Sequence, residues 1–181
     1  MRAFVVYESM FGNTQVVARA VADGLAAADG IDDVSLVEVG TAPAQVGDDV
    51  DLLVVGAPTH ALGLSRPSTR RDAVTKTAEP LVSTRLGLRE WLAGLGRVDR
   101  RLPAAAFDTK VDKPRLPGSA ARAAARRLRR LGMPLVVPTT TFRVDGMTGP
   151  LLDGEVDRAR RWGADLGARV AHSETAARRT R

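Results

Sequence analysis

Val5-Val6-Tyr7-Glu8-Ser9-Met10-Phe11-Gly12-Asn13-Thr14 decides how this chain is read, because it joins an apolar strand to an amphipathic helix through a turn rich in small polar residues. The run Ala3 to Tyr7 has the length and β-branched content of a strand. After Asn13 or Thr14, apolar residues recur at helical spacing (Val17, Ala18, Val21, Ala22, Leu25), and the helix is expected to close near Gly30. The turn itself has the chemistry of a phosphate site. Ser9 and Thr14 bring hydroxyls, Gly12 permits a tight backbone turn, and successive N–H groups at a helix start point toward an anion. A dinucleotide fingerprint would need three glycines spaced G-x-G-x-x-G, and only Gly12 is present; a P-loop would need Gly-Lys-Ser/Thr.

Working outward, strand and helix patterns alternate along the chain, which argues for right-handed crossovers and a parallel sheet covered on both faces. Val34 to Val39 reads as the second strand. Asp51 to Gly56, with Leu52-Leu53-Val54-Val55, reads as a third strand buried on both faces. A long polar stretch, Ala57 to Thr84, follows, with a short helix expected at Ser68 to Lys76; loops of this length are commonly functional. A helix is expected over Thr84 to Leu95, a fourth strand over Leu102 to Phe107, a helix after Ser119, a fifth strand over Met133 to Thr141, and a last helix from Asp153 to about Ala171. This is one α/β domain over residues 1–172, with a basic tail at 173–181 expected to fray. The pattern is compatible with a doubly wound sheet of order 2-1-3-4-5 in three α/β/α layers. In that topology ligands sit outside the carboxyl ends of the strands, at the switch point between strands one and three.

The decisive stretch, with Ala18 and Val21 on the following helix, resembles the FMN-phosphate signature of the flavodoxins. The resemblance implies a flavodoxin-like fold and one FMN, its 5′-phosphate wrapped by the backbone of Ser9, Met10, Phe11, Gly12, Asn13 and Thr14 and by the side chains of Ser9, Asn13 and Thr14. Gly56-Ala57-Pro58-Thr59-His60-Ala61-Leu62-Gly63 is similar to the Gly-x-Pro-Thr-aromatic loop that flanks the flavin ring in this family. That likeness implies Pro58, Thr59 and His60 at the edge or face of the ring, and backbone groups of Ala61, Leu62 and Gly63 toward its heteroatoms. His60 stands where the family carries a large aromatic, so the ring is held more loosely or another group covers that face; His60 also reads as a loop histidine bonded to backbone, or as a general acid. The third loop, Phe107-Asp108-Thr109-Lys110, falls where the family places its second flavin loop, with Asp108 and Thr109 toward the pyrimidine edge. Phe107 reads equally well as core, and Lys110 as a solvated lysine. Trp91 and Trp162 fall on apolar helix faces and read as core.

Composition narrows the chemistry. The 181 residues include no cysteine, which removes disulfides, thiolate catalysis and sulfur-ligated metal centres. No metal site is expected. The apolar run at the amino terminus is too short for a signal peptide, and no run approaches the length of a membrane span, so a cytoplasmic protein that is not transmembrane is expected. The net charge of +6 is unevenly spread: residues 1–60 carry two Arg against nine Asp and Glu, and residues 97–130 carry eleven Arg and Lys against three Asp. This basic region reads as a solvated helix face or as a surface for an acidic partner or membrane. Its arginines are not interleaved with stacking aromatics, which argues against a specific nucleic-acid reader.

With FMN bound, the reacting atoms belong to the cofactor and the protein supplies orientation, electrostatics and access. The expected function is a redox flavoprotein, either an electron carrier for a partner protein or a small FMN-dependent reductase or oxidase acting on a quinone-like conjugated acceptor. Arg66, Arg70, Arg71 and Lys110 near the ring would make the reduced anionic flavin easier to reach than in acidic flavodoxins, which tilts the reading toward a reductase. The competing reading is a flavodoxin scaffold without flavin that serves as a docking module.

Overall fold

The computed structural model describes residues 1–60, 62–77, 80–98, 100–113 and 117–179, with side chains through residue 173. Five parallel strands form one sheet: β1 (Arg2–Tyr7), β2 (Asp33–Glu38), β3 (Leu52–Pro58), β4 (Ala104–Val111) and β5 (Thr140–Val144). Their order is β2-β1-β3-β4-β5, the doubly wound order of the flavodoxin-like fold. In register, Tyr7 lies beside Glu38 on one side and Gly56 on the other, so β3 runs on past the end of β1 to Pro58, paired there with Thr109 of β4.

Alternation along the strands builds two cores. Phe4, Val6, Leu53, Val55, Ala104 and Ala106 face α3 (Leu88–Gly94) and α4 (Ala120–Arg130), where Trp91, Leu92, Ala121, Ala124 and Leu128 meet them. Ala3, Val5, Tyr7, Leu52, Val54, Ala105 and Phe107 face the opposite layer, α1 (Asn13–Ala26) and α5 (Glu155–Arg179). The small side chains of Ala104 and Ala106 keep this face of β4 thin, and Ala120, Ala121 and Ala124 of α4 pack in the same cluster. Phe107, Phe142 and Trp162 pack edge to face with centroids 5.9–6.3 Å apart, and the guanidinium of Arg158 lies 4.4 Å from the Phe142 ring centre. Trp91 is buried and donates its ring N–H to the Pro43 carbonyl at 2.8 Å. No described helix is long and apolar enough to cross a membrane.

Several boundaries differ from the sequence reading; α1 ends at Ala26, short of the expected Gly30, and β3 runs on to Pro58. The fifth strand was expected over Met133 to Thr141, and the structure starts it at Thr140. Leu135 forms only an isolated bridge to Ala104; Pro138, which has no N–H to donate, lies between that bridge and the strand. The fourth strand runs on through Val111, carried by its pairing with β5 at Lys110 and Val111. The second crossover helix is the shorter Leu88–Gly94, because Gly87 and Glu90 fix its start: the Gly87 N–H donates to the Glu90 carboxylate at 2.9 Å. The last helix continues to Arg179 instead of ending near Ala171. The short helix expected at Ser68 to Lys76 is α2 (Pro67–Val74), with proline at its first position.

Glycines set the close approach of α1 and α5. A Cβ on Gly163 would lie 2.3 Å from the Val21 carbonyl oxygen, and one on Gly24 would lie 2.0 Å from that of Arg160. Alanine ordinarily stabilises a helix interior by about 1 kcal/mol over glycine; here the backbones must separate. Gly163→Ala is expected to lower the unfolding free energy by about 1–3 kcal/mol, measured by urea denaturation, and a stabilised variant would show that the helices are not in backbone contact.

Candidate functional site

The loop leaving β1 is held from one side. The N–H of Val82 donates to the Met10 carbonyl (3.0 Å) and that of Ser83 to the Ser9 carbonyl (2.7 Å), while the Ser83 hydroxyl accepts from the Ser9 N–H (3.0 Å). Gly12 then turns the chain with φ +86°, a left-handed conformation that glycine adopts without the Cβ penalty, and α1 begins at Asn13 with no side-chain cap. Among the described residues, no protein acceptor takes the N–H of Met10, Phe11, Gly12, Asn13 or Thr14. Buried amides normally find partners, so five successive donors at a helix start form a ready anion cradle.

A cavity of about 230 Å³ opens beside this loop. Ser9, Met10, Phe11, Asn13 and Thr14 line it from the first loop, Pro58, Thr59 and His60 from the second, and Thr109 and Lys110 from the third. The three loops singled out in the sequence therefore meet at one place, at the carboxyl ends of β1, β3 and β4. A larger groove of about 1060 Å³ lies at the opposite end of the sheet, beside Asp51, Pro103 and the last turns of α5. Ligands of open α/β sheets bind at the carboxyl ends of the strands, so size does not decide between them.

Several expected side chains are committed elsewhere. The Asn13 amide donates to the Thr148 carbonyl at 2.8 Å, and the Thr14 hydroxyl pairs with that of Thr109 at 2.7 Å. The Ser9 hydroxyl accepts from the Gln15 N–H at 3.3 Å. Phosphate recognition thus falls to the backbone more than to these side chains. Phe107 lies in the core, where its ring covers Gly56 so closely that a Cβ there would come within 2.1 Å. Asp108 is fully buried and does not line the cavity: one carboxylate oxygen accepts from the hydroxyls of Thr59 (2.9 Å) and Ser119 (2.6 Å) and the N–H of Ala121 (3.0 Å). A carboxylate at this helix start complements its dipole and ties the second loop to α4. His60 and Gly63 exchange two backbone hydrogen bonds (2.8 and 2.9 Å) around Leu62, which has φ +74°. The Leu62 carbonyl abuts Gly118, so Leu62 and Gly63 brace the loop from outside the cavity. Ala61 lies outside the described residues.

Other lining residues escaped the sequence reading. Thr69, Ala73 and Lys76 form a wall from α2 and the turn after it, and Val111, Val144 and Met147 close the far side. Only the crossover geometry brings these segments together; their local sequence carries no ligand motif. Burial, reinforced by the field of Arg70, pushes the His60 imidazole below its usual value, so it is neutral at pH 7. Arg70 itself is 5% exposed and pairs with Glu90 at 3.0 Å and with the Ser65 hydroxyl at 2.9 Å. No group of His, Asp or Glu among the described residues is arranged to hold a metal ion.

Glu8 stands directly behind the loop, fully buried. One of its oxygens accepts from the Leu88 N–H at 2.7 Å and the other has no partner among the described residues. Burial raises its carboxyl above the usual glutamate range, partly offset by hydrogen bonds from Ser65 and Leu88 and by Arg70. The folded state therefore keeps a proton that the unfolded chain releases, and stability falls as pH rises from the usual glutamate value through the raised one. Glu8→Gln keeps the acceptor for Leu88 and removes the titration. In urea unfolding at pH 5 and pH 8 the variant is expected to gain on the wild type as pH rises; parallel pH profiles would contradict the assignment.

No family model matches the chain, and no curated protein matches it. Solved structures do. The chain is similar to a flavodoxin from the domain Archaea, at 21% identity over 95% of this chain and 100% of that one, with a TM-score of 0.64. It is similar to flavodoxin 1 from Bacillus cereus, at 16% identity over 92% and 97% of the two chains, with a TM-score of 0.65. A WrbA-like flavodoxin from Agrobacterium tumefaciens matches at 20% identity over 95% and 98%, with a TM-score of 0.56. These likenesses establish a flavodoxin-like fold.

Proposed function

We propose that this chain is an FMN-binding redox protein that passes electrons to a small quinone-like acceptor. The observation that carries the reading is the row of unpartnered amides from Met10 to Thr14 at the switch point of a flavodoxin-like sheet. A phosphate monoester takes such donors without a lysine in the loop. The donor set fits the phosphate of FMN, and the walls contributed by Pro58, Thr59 and His60 fit a flat ring, although 230 Å³ is below the roughly 300–1,000 Å³ of common ligand pockets. In this reading the ring is partly exposed at the cavity mouth, which also gives an acceptor access to it. When bound, FMN supplies the electron transfer. The chain's own groups hold its phosphate, position the ring and set the charge around it.

The wall formed by Thr69, Ala73 and Lys76 supports a small acceptor over a large protein surface as the main partner. A second reading, a carrier for an acidic partner protein, draws on α4, where Arg122, Arg126, Arg129 and Arg130 are exposed on the face opposite the buried alanines. The reading without flavin loses ground because no described residue satisfies the loop's amides.

Purified protein mixed with FMN and desalted is expected to stay yellow, with one flavin per chain. Gly12→Val, which forces a β-branched residue into a left-handed turn, is expected to weaken FMN binding about tenfold, equivalent to about 1.4 kcal/mol. A colourless protein that ignores added FMN in calorimetry would overturn the proposal.

A further inference from the structure

α4 carries five arginines and no acidic residue. Arg122, Arg126 and Arg130 are exposed and stand four residues apart, about 6 Å per step, while the alanines on the other side of the helix are buried. Arg129 is exposed beside them and Arg127 is half-buried. Next to this helix, Arg89 of α3 has its guanidinium fixed by the carbonyls of Leu64 (2.6 Å) and Ser65 (2.8 Å), which places it beside Arg66. Burial, then the fields of Arg127 and Arg66, hold Arg89 below the usual arginine value, each of these fields stronger than that of Glu90 or Glu8. None of these arginines forms an ion pair among the described residues. The acidic side chains outside the described residues, Glu79, Asp99 and Glu174, are three against the five arginines of α4 together with Arg66 and Arg89. Gathering like charges costs stability, so the face calls for an anionic counterpart from outside the chain.

Leu62 stands where this face begins, 57% exposed. Among the described residues it is the one non-glycine with a positive φ (+74°), a conformation that glycine adopts freely and leucine holds at a cost. Its carbonyl abuts Gly118, where a Cβ would come within 2.1 Å, and α4 opens directly after, capped by Ser119. An exposed apolar side chain kept in a strained turn, beside a field of arginines, has the make-up of a protein interface, with an apolar anchor and an arginine-rich border. No aromatic side chain of the chain is exposed for stacking on nucleic-acid bases. A lone leucine also offers little apolar area to a bilayer.

We propose that the outer face of α4, with Leu62 at the edge where the helix begins, docks a partner protein that presents carboxylates about 6 Å apart and an apolar pocket for Leu62. The Ala120 N–H donates to the Thr59 hydroxyl at 2.9 Å, and Thr59 lines the cavity. A partner seated here therefore lies beside the site and leaves its mouth free for a small acceptor. The proposal rests on the carrier reading above for the partner's role, while the docking itself needs no bound flavin. Charge along the face steers the encounter, and added salt weakens it.

The test is fluorescence anisotropy of two labelled synthetic helical peptides titrated with the full chain. One carries glutamates at i, i+4 and i+8 and a leucine one turn before the first; the other holds the same residues shuffled so that no stripe forms. The striped peptide is expected to bind at least about fivefold more tightly, and both to weaken as sodium chloride is added. Arg126→Gln is expected to weaken the striped peptide about threefold. Leu62→Gly separates docking from folding: it is expected to raise the urea midpoint by relieving the left-handed turn, and yet to weaken the striped peptide about fivefold. Equal affinities for the two peptides, or a Leu62→Gly variant that binds the striped peptide as the wild type does, would overturn the proposal. Tighter binding to phosphatidylserine vesicles or to duplex DNA than to the striped peptide at the same salt would also overturn it, and would assign the face to lipid or nucleic acid. A yellow protein without the peptide preference removes this proposal alone, whereas a colourless protein that keeps the preference removes the flavin reading alone.

Discussion

The turn from Ser9 to Thr14 is satisfied on one side and open on the other, and the candidate site depends on that asymmetry. Val82 and Ser83 take up the carbonyls of Met10 and Ser9, so the polypeptide has spent its own donors on the inner edge of the turn. The outer edge is a set of amides that find no acceptor among the described residues. β3 runs on past the end of β1 and brings the Pro58 to His60 segment alongside this edge, and the right-handed crossovers leave it uncovered. Everything chemical in the cavity is arranged around those donors.

Much of this was legible in the sequence because the physics is local. A strand-turn-helix with Gly12 at its centre declares its geometry in a dozen residues, and the alternation of strands and helices limited the sheet to few orders. The roles of side chains were less legible, because they depend on what the fold brings near. Asn13 and Thr14 look like phosphate ligands in isolation, but Thr148 and Thr109 reach them from 135 and 95 residues away. Asp108 reads as a cofactor contact, whereas in the fold it is buried against the start of α4 and holds Thr59, which does line the cavity. Phe107 had two readings, core or ring neighbour, and the emptiness of Gly56 places it in the core.

What the sequence could not show at all was the second wall. The segment after β3 is polar and irregular in pattern, yet Arg70 turns inward and is held by Ser65 and Glu90, which fixes α2 against the sheet and carries Ala73 and Lys76 to the cavity. An arginine-rich stretch ordinarily reads as solvated surface. Here one of its members is a buried strut, and its charge helps keep His60 neutral. The same segment borders Glu8, so the stability of the loop's backing is linked to the proton on a buried carboxyl.

In the proposed function the turn grips a phosphoryl group and not merely a flat ring. Titration of the flavin-free protein with FMN and with riboflavin, which differ only in that phosphate, measures the claim directly through quenching of flavin fluorescence. FMN is expected to bind more tightly by at least about a hundredfold, equivalent to about 2.7 kcal/mol. Equal dissociation constants for the two compounds would contradict it.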